Sequence, residues 1–362
     1  MQHFEPLAKT HQFWFHGASV GDLLSLKPII HTCEREGISP SCISYWSTEA
    51  RTMASQLYPH RPVRRAPLPV KPFVDRFVTK YGIEACVLEY LELYPGWVHS
   101  MNALGKPIGV VNGRVTDKSL RVAWLLKGAA ERLSFFWAQS QRDAEMAEAL
   151  GVSHEVIEVL GSTKYDRILH QTPPCSAALR KLLGDFDVVI GSIHPDEERG
   201  LCAALSRYSG RALIAPRYLN QVERLHRNLE RLDATVSRRS QPSTGQSRFV
   251  ILDTVGELHA AYSLAEVAIV GGTFGKRNGQ NLFEPISMGS SVLYGSRHSR
   301  IFDQIDVLAD FGVKSCLSFG EALERVSRRD FVRFSLDTLK TRFPPTLPRV
   351  VKRLKRIAGS PY

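Results

Sequence analysis

Residues 13–30 read FWFHGASVGDLLSLKPII, a short apolar run followed by a turn of small residues and then a helical pattern. Ser19 and Asp22 stand three residues apart, which is the spacing of a capping box at a helix start. The stretch therefore predicts a buried strand that leads into a helix, the repeating unit of a parallel α/β sheet. Two interpretations of Asp22 stay open: a helix cap, or a carboxylate that takes part in chemistry.

The same strand-to-helix unit recurs along the chain. Apolar, β-branched runs alternate with helical segments, which is typical of parallel sheets covered by helices. The runs are FWFHG, CISYWS, ACVLEY, IGVVNG, FFWAQS and VIEVLGS, then DVVIGSI, ALIAPR, FVILDT, VAIVGGT and SVLYGS. We predict two Rossmann-like, doubly wound parallel-sheet α/β domains, 1–168 and 177–345, joined by a linker of prolines and small residues and followed by a basic helix at 346–362.

The composition is that of a folded, soluble protein. Of the 362 residues, 43% are hydrophobic and 23% are charged, and no window holds the roughly 18 uninterrupted apolar residues that a membrane span requires. The N-terminal MQHFEPLAKTHQ has no apolar signal-peptide core, so we expect a cytoplasmic protein. The six cysteines form no C-x-x-C pair, which favours reduced thiols over metal ligation.

The net charge of +11 indicates an anionic partner, either nucleic acid, a phosphorylated ligand or an acidic membrane surface. Part of the excess lies in the proline-rich loop at 61–71 and in the tail TLPRVVKRLKRIAG, which has the pattern of a basic amphipathic helix. Solvated charged faces explain such clusters equally well. Nucleic acid is the weakest candidate, because no motif of interleaved aromatic and basic residues is present.

Polar residues cluster where strands of the second half end, and ligands of open α/β sheets bind beyond those carboxyl ends. In GGTFGKRNGQNLFEP (271–285), glycines let a ligand approach the backbone, and Glu284 can accept hydrogen bonds from a ribose diol. The loop lacks the G-x-x-x-x-G-K-[ST] pattern, which disfavours simple nucleotide hydrolysis. His194 in GSIHPDEE and Arg217 in APR are candidate anion ligands. Each feature has an alternative interpretation: the loop at 271–285 can be an ordinary strand-to-helix turn, His194 can be a structural histidine, and Arg217 can form a surface ion pair.

The first half offers a second set of polar groups at strand ends. Glu92 in LEYLELYP, and Asn112 and Arg114 in NGR, follow consecutive strands and can line one cleft with Asp22. The SVGDL stretch is echoed by TVGEL in the second half, so both halves are predicted to place a helix start at the sheet edge. A D-x-D pattern, DFD at 185–187, precedes its strand at the opposite edge, and we reject it as a metal site.

The motifs form an ordered series from about Trp14 to Leu308. They are HGASVGD, YLELYP, VNGRVTDKS, AQSQRDAEMAEALGV, VLGSTKYD, GSIHPDEE, APR, DTVGEL and GGTFGKRNGQNLFEP with the later VLYGS. This series resembles the Kdo (3-deoxy-D-manno-octulosonic acid) transferases of lipopolysaccharide synthesis. The resemblance implies the GT-B architecture, with an acceptor-binding N-terminal domain and a CMP-sugar-binding C-terminal domain facing a cleft. It also implies an inverting transfer of Kdo from CMP-Kdo to a lipid A precursor, with no essential metal or other cofactor.

The resemblance also implies roles for individual residues. Asp22 stands where the family has a glutamate thought to be the general base, and Glu92 matches the second acidic residue of its E-T-E-L-W-P motif, so both are expected to be catalytic. Ser19, Asn112 and Arg114 are expected on the acceptor side. The expected donor-binding residues are Ser192, His194 and Arg217 at the phosphate and Kdo, and Gly256, Glu257, Gly272, Thr273, Asn281 and Glu284 at CMP.

Three residues depart from the family pattern. Asp22 replaces its glutamate, Tyr90 its first motif glutamate, and Gln280 the histidine of G-G-H-N. A paralogue that uses another CMP-activated acidic sugar or acceptor, and a degenerate GT-B protein that only binds, therefore stay open. The hydrophobic N-terminal anchor of many members is not found, so we expect peripheral contact with the anionic inner membrane surface. Residues 124–127 in RVAWLLKGAAERL can supply this contact, or can belong to a half-buried core helix.

Overall fold

A computed structural model describes residues 11–170, 176–241, 246–277, 279–298, 301–333 and 336–359, and the side chains at 117, 118, 167 and 303 lie outside the description. Part of the predicted linker, residues 171–175 with Cys175, is therefore outside the described residues. The chain divides into two compact units: Met1–Arg167 together with Phe343–Tyr362, and Ile168–Arg342. The C-terminal segment thus belongs to the first unit.

The first unit is built on one parallel sheet. In the described residues its strands are β1 (His11–His16), β2 (Ile38–Tyr45), β3 (Val63–Arg65), β4 (Ala85–Glu89), β5 (Ile108–Gly113), β6 (Phe135–Ala138) and β7 (Ile157–Val159). Their order across the sheet is β3-β2-β1-β4-β5-β6-β7. The strand runs predicted in this half are confirmed, whereas the sequence does not predict β3, a short and largely exposed edge strand.

The second unit is built on a second parallel sheet. In the described residues its strands are β8 (Val188–Ile193), β9 (Ala212–Pro216), β10 (Val236–Arg238), β11 (Phe249–Ile251), β12 (Val267–Val270) and β13 (Ser291–Tyr294). Their order is β10-β11-β9-β8-β12-β13. The predicted runs are again confirmed, and the three-residue edge strand β10 is an addition to them. The prediction of two doubly wound parallel-sheet α/β domains is therefore correct.

Helices connect the strands and cover the sheets. In the described residues they are α1 (Val20–Arg35), α2 (Thr48–Leu57), α3 (Lys71–Lys80), α4 (Pro95–Ala103), α5 (Asp117–Arg121), α6 (Ala123–Ala130), α7 (Gln141–Leu150), α8 (Thr163–Leu169), α9 (Ala177–Leu183), α10 (Glu198–Leu205), α11 (Val222–Glu230), α12 (Leu258–Ala261), α13 (Phe283–Ser287), α14 (Phe302–Asp310), α15 (Phe319–Arg328), α16 (Leu336–Arg342) and α17 (Thr346–Gly359). None of the described helices is long and apolar enough to cross a membrane.

Helices cover both faces of the first sheet. Side chains alternate along each strand, so each strand contributes to the core on either face. On β1, Phe13 and Phe15 pack into an apolar core with α1, α2 and α17, whereas Trp14 packs into a core with α3, α4, α6 and α7. Since all strands are parallel, the loops that follow them lie at one edge of the sheet. We call this the carboxyl edge, and it holds the residues predicted to be functional.

The helix α6 is half-buried, which was one expectation for residues 124–127, and its other face carries exposed apolar residues. Trp124 is 81% exposed and Leu125 is 57% exposed. On the opposite face, Ala123 and Leu126 pack partly buried against the core, and Ala129 and Ala130 are fully buried in it. Trp124 and Leu125 are therefore exposed apolar side chains on a helix whose other face packs on the core.

The C-terminal helix α17 packs on the first unit, and Asp166 of α8 caps its start. The Asp166 carboxylate accepts hydrogen bonds from the backbone N–H groups of Thr346 at 2.9 Å and Leu347 at 2.5 Å. Such a cap is needed because the first N–H groups of a helix have no partner within it. The apolar face of α17 is buried beside α1, through Val350, Val351 and Leu354.

Part of the basic charge of α17 is neutralised within the first unit. Arg353 pairs with Glu158, and Lys355 pairs with Glu36 at 2.7 Å. The predicted basic amphipathic helix is thus confirmed. Because its apolar face is buried, that face is not available to a membrane.

We predict that Asp166→Ala lowers the unfolding free energy of the first unit by about 1–2 kcal/mol, the usual cost of a lost helix cap. The five tryptophans, at 14, 46, 97, 124 and 137, all lie in this unit, so urea unfolding followed by tryptophan fluorescence measures it. Asp337→Ala is the control, because the Asp337 side chain is 90% exposed in the second unit. An unchanged unfolding midpoint for Asp166→Ala would show that the cap is not needed.

Candidate functional site

The predicted capping box is present at the start of α1. The Ser19 N–H donates to Asp22 Oδ2 at 2.7 Å, and the Asp22 N–H donates to Ser19 Oγ at 3.3 Å. Among the described residues, the other carboxylate oxygen, Oδ1, makes no hydrogen bond. Asp22 is partly exposed. It is therefore a helix cap that still presents one oxygen at the carboxyl edge.

Asn112 joins three elements at the end of β5. Its Nδ2 lies 3.0 and 3.2 Å from the two carboxyl oxygens of Glu89, and it donates to Thr163 Oγ1 at 2.9 Å. Its Oδ1 accepts the backbone N–H of Thr163 at 2.9 Å, at the start of α8. The sequence predicts that Asn112 faces an acceptor, but Asn112 is only 1% exposed. That prediction is wrong for the side chain, which instead holds Glu89.

Glu89 is the last residue of β4, and its side chain is fully buried. Burial raises the pKa of Glu89 to about 8, hydrogen bonds from Ser25 and Asn112 oppose this shift, and the charge of Asp22 adds to it. The carboxyl is therefore mostly neutral at pH 7. Sequence reasoning does not select Glu89, although an acidic residue that ends an apolar strand is a signal that could have found it.

Glu92, in the turn after β4, is the third carboxyl of this edge. The Tyr94 hydroxyl donates to Glu92 Oε2 at 2.9 Å. Burial raises the pKa of Glu92, the bond from Tyr94 lowers it, and the charge of Asp22 raises it again. Asp22 thus acts electrostatically on Glu89 and on Glu92. We call these three residues the carboxylate cluster.

Tyr90 and Arg114 border the carboxylate cluster. Tyr90 adopts a left-handed backbone with φ of 54°, a conformation that is uncommon for a bulky residue and is often found at functional sites. Arg114 is exposed, and its charge lowers the pKa of Tyr90, although burial raises it overall to about 12. Arg114 is thus an exposed cation beside the carboxylate cluster, and its contact with an acceptor stays a prediction.

In the second unit, a single carboxylate holds the glycine-rich loop after β12. Glu197 Oε2 accepts the backbone N–H groups of His194 at 3.0 Å and Gly272 at 2.7 Å. Its Oε1 accepts those of Phe274 at 2.9 Å and Gly275 at 3.0 Å. The loop is therefore fixed from inside the unit. Sequence reasoning does not select Glu197, because nothing in the run of acids in HPDEE shows which one points inward.

The glycines of this loop serve its own packing. A Cβ at residue 271 would lie 2.8 Å from the Ser192 carbonyl oxygen, and one at residue 275 would lie 2.4 Å from Asp196 Oδ2. Asp196 also accepts the backbone N–H of Lys276 at 2.7 Å. The glycine pattern predicts the close approach of a ligand, but at these two positions it is explained by close contact with residues 192–197.

His194 lies beside this loop with a buried side chain. Burial lowers the pKa of His194, Glu197 opposes this shift, and the charges of Arg277 and Arg217 add to it. The imidazole is therefore neutral at pH 7, and its Nε2 is 3.3 Å from Gln280 Nε2. Arg217 is exposed at the end of β9. The predicted phosphate ligands Arg217 and His194 are thus near each other, as a cation and a neutral hydrogen-bonding group.

The predicted nucleotide-binding residues differ in their availability. The Thr273 side chain is fully buried, and its hydroxyl donates to Val270 O at 2.5 Å and accepts the Gly295 N–H at 2.8 Å. The prediction that this side chain contacts a donor is therefore wrong. Asn281 and Glu284 are only partly buried, and Asn281 Nδ2 donates to Glu284 Oε1 at 3.3 Å. Both remain accessible to a ligand.

The similar sequences SVGD and TVGE form helix starts that are only partly alike in structure. Glu257 precedes the single-turn helix α12 and makes no capping hydrogen bond with its side chain. Its carboxylate instead accepts a bond from Arg239 at 3.0 Å and one from the Thr254 hydroxyl. Gly256 is exposed, with φ of 87°. Both units place a helix start at the carboxyl edge, as predicted, but only the first builds a capping box.

Among the described residues, no group of three or more His, Cys, Asp or Glu side chains is arranged to hold a metal ion. The D-x-D pattern has structural roles instead. Asp185 pairs with Arg180, and Asp187 Oδ2 accepts the backbone N–H of Arg211 at 2.7 Å. Both acids precede β8, at the edge opposite to the glycine-rich loop.

We predict that Glu197→Gln loosens the glycine-rich loop, because an amide nitrogen cannot accept the backbone N–H groups that the lost oxygen held. An unsatisfied buried N–H costs about 1–3 kcal/mol, so amide hydrogen exchange in residues 271–277 should become about 10- to 100-fold faster. Glu198→Gln is the matched control, because Glu198 is equally buried but accepts its bonds from Arg224 and Asn228. Equal exchange in the two variants would contradict the role of Glu197.

Comparison with solved structures shows the fold. The UDP-GlcNAc 2-epimerase from Methanocaldococcus jannaschii superposes with a TM-score of 0.62 over 95% of this chain and 99% of that protein, at 12% sequence identity. At this identity the likeness concerns the fold alone. It agrees with the two parallel-sheet α/β units described above and identifies the GT-B architecture.

Comparison of sequences shows which proteins the chain resembles. The bifunctional glycosyltransferase/methyltransferase of Fusobacterium nucleatum is 26% identical over 348 residues, which cover 90% of this chain but only 54% of that protein. The 3-deoxy-D-manno-octulosonic acid transferase of Chlamydophila psittaci is 27% identical over 84% of this chain and 74% of its own. Residues 1–167 match the family model described as 3-deoxy-D-manno-octulosonic-acid transferase (kdotransferase). The first half of the chain is therefore similar to this family of glycosyltransferases, and full-length relatives of the same name are up to 27% identical to it.

Proposed function

We propose that the protein is an inverting, metal-independent glycosyltransferase that moves Kdo from CMP-Kdo to a lipid A precursor. The observation that carries the proposal is the carboxylate cluster at the carboxyl edge of a unit that matches the Kdo transferase family. Such a transfer needs a carboxylate to accept the proton of the attacking hydroxyl. Relatives with this name align over most of the chain, which supports the same activity.

Asp22 is the proposed general base. Its Oδ2 is engaged by the Ser19 N–H at 2.7 Å, which leaves Oδ1 to take the proton of the acceptor hydroxyl. The acceptor oxygen then bonds to the anomeric carbon of Kdo while the bond to the phosphate oxygen breaks and CMP leaves with the electron pair. Glu92, oriented by the Tyr94 hydroxyl, is proposed to bind the acceptor beside Asp22. Capping and catalysis are thus assigned to two oxygens of one carboxylate.

The second unit is proposed to bind the donor. Exposed cations, Arg217, Lys276 and Arg277, surround the glycine-rich loop and the neutral His194. CMP carries a single phosphate when it leaves, so cationic side chains and backbone N–H groups can stabilise its charge without a metal. Other proposed contacts are Ser192, Gly256, Glu257, Gly272, Asn281 and Glu284, with Glu284 at the ribose.

A second candidate keeps the fold and changes one substrate. Gln280 stands where the resemblance expects a histidine, and it lies against His194. Asp22 and Tyr90 likewise depart from the family pattern. These differences favour a paralogue that uses another CMP-activated acidic sugar or another acceptor, and the mass of the transfer product separates the two candidates.

The direct experiment incubates the purified protein with CMP-Kdo and tetraacyl lipid A in the presence of EDTA. We expect CMP release and a lipid whose mass has increased by Kdo. Asp22→Asn removes the base, so the transfer rate should fall by about 10²–10⁴-fold. Asp22→Glu should keep measurable activity, because the carboxylate is retained. No transfer across a reasonable pH range would contradict the proposal.

Asp143→Asn is the matched control for Asp22→Asn. Asp143 holds the same position in α7, where the Ser140 hydroxyl accepts its backbone N–H at 3.1 Å. Both substitutions weaken a helix start, but only Asp22 belongs to the carboxylate cluster. Equal losses of activity in the two variants would show that Asp22 acts only as a cap.

We also propose that the first unit contacts an anionic membrane surface. The helices α3 and α6 both contact α4 on one face of the sheet and begin with exposed apolar residues. These residues are Phe73 at 56%, Trp124 at 81% and Leu125 at 57% exposure, continued by Leu68 and Val70 in the loop before α3. Exposed cations flank them, namely Arg64, Arg65, Lys71, Arg76, Arg121 and Lys127. Exposed apolar side chains with exposed cations nearby in the chain fit an anionic bilayer surface.

We predict that the protein sediments with vesicles containing phosphatidylglycerol and not with pure phosphatidylcholine vesicles. The double variant Trp124→Ser/Leu125→Ser should bind the anionic vesicles at least about tenfold more weakly, because it loses apolar area that the bilayer would bury. Leu317→Ser is the control, since Leu317 is 87% exposed in the second unit. Unchanged binding of the double variant would rule out α6 as a contact.

A further inference from the structure

We propose that Glu89 is a positioning residue whose neutral carboxyl ties the start of α1, which carries Asp22, to β5. The inference rests on the proposed function for its effect on transfer, but the state of the carboxyl is a property of the protein alone. The supporting observations are the burial of Glu89, the neutral character of its hydrogen-bond partners and the absence of a cation among its partners within the described residues.

The contacts of Glu89 lie between strand β5 and helix α1. Asn112 Nδ2 lies 3.0 and 3.2 Å from its two oxygens and 3.5 Å from Ser25 Oγ of α1, and the Ser25 hydroxyl lowers the pKa of Glu89. Ser25 follows Asp22 by three residues, so it lies one helical turn further along the same face of α1. Glu89 therefore fixes the turn of α1 that carries Asp22.

The surroundings of Glu89 oppose a second negative charge. The charge of Asp22 on α1 raises the pKa of Glu89. A charge on Glu89 in turn raises the pKa of the Tyr58 and Tyr90 hydroxyls. Asn112 on β5 and Thr163 on α8 are neutral. A buried carboxylate without a cation or several N–H donors is costly. In line with this, burial raises the pKa of Glu89 to about 8.

The neutral form of Glu89 can keep both of its partners, Asn112 and Ser25. A protonated carboxyl has one donor and remaining acceptor capacity. Its hydroxyl can donate to Ser25 while its carbonyl oxygen accepts from Asn112. Loss of the proton would leave acceptors only and place two negative charges at the edge where a phosphorylated acceptor is proposed to bind. Transfer should therefore weaken in the alkaline range through acceptor binding.

The first test uses no substrate. Infrared spectra of the wild type at pH 6.5 should contain a protonated-carboxyl band that is absent from Glu89→Gln and is lost from the wild type by pH 9.5. The folded pKa of about 8 exceeds the ordinary value of 4.5, so stability from the proton is complete below 4.5 and is lost as the pH rises through 8. The melting temperature of the wild type should therefore fall relative to Glu89→Gln between pH 5 and pH 8.

The second test measures transfer against pH. In the wild type the KM for the acceptor should rise about tenfold from pH 7 to pH 9.5, whereas Glu89→Gln, which stays neutral, should lose this rise. At pH 7 we expect Glu89→Gln to lose less than about tenfold in rate, and Glu89→Asp, which is too short to hold both partners, about 10²-fold. Glu84→Gln is the control, because Glu84 immediately precedes the same strand at its opposite edge.

The outcomes separate the inference from the proposed function. A missing infrared band in the folded wild type, or an alkaline rise in KM that persists in Glu89→Gln, would overturn the inference even if transfer occurs. A band that titrates near pH 8 in a protein that transfers no Kdo would support the neutral carboxyl and count against the proposed function. Loss of the pH dependence in Glu84→Gln as well would show that the effect is not specific to Glu89.

Discussion

Glu197 accepts four backbone N–H groups at the carboxyl edge of the second sheet, and the candidate donor site depends on that interaction. The loop it holds carries no regular secondary structure of its own, so the bonds to one buried carboxylate replace the ladder of a strand or helix. The exposed cations around the loop then keep fixed positions. A preorganised loop of this kind can stabilise a leaving phosphate without first rearranging.

The first unit also has a buried acidic side chain at its carboxyl edge, but with different hydrogen-bond partners. Glu89 is buried as deeply as Glu197, but its partners are one amide and one hydroxyl. Four N–H donors compensate a negative charge, whereas two neutral groups do not. In the second unit, the Glu197 side chain therefore holds the glycine-rich loop. In the first unit, the neutral carboxyl of Glu89 is proposed to orient α1. Asp22 caps α1 at the carboxyl edge of the first unit, so a helix cap and a proposed base are the same residue.

Much of the fold could be predicted from the sequence, because buried parallel strands are continuous apolar runs. The edge strands β3 and β10 escape prediction because they are three residues long and partly exposed. The site is predicted less completely. Polar residues at strand ends are all expected to face a ligand, yet the side chains of Asn112 and Thr273 point into the protein. Whether such a side chain points inward depends on neighbouring elements, here α8 for Asn112 and Gly295 for Thr273.

The central claim is that the glycine-rich edge of the second unit binds a cytidine monophosphate sugar, although solved structures of the same fold include UDP-sugar enzymes. Calorimetric titration of the protein with CMP, UMP and UDP tests it most directly. We predict that CMP binds more tightly than UMP and UDP, without added metal, and that Arg217→Ala weakens CMP binding. Tighter binding of UDP than of CMP would contradict the account.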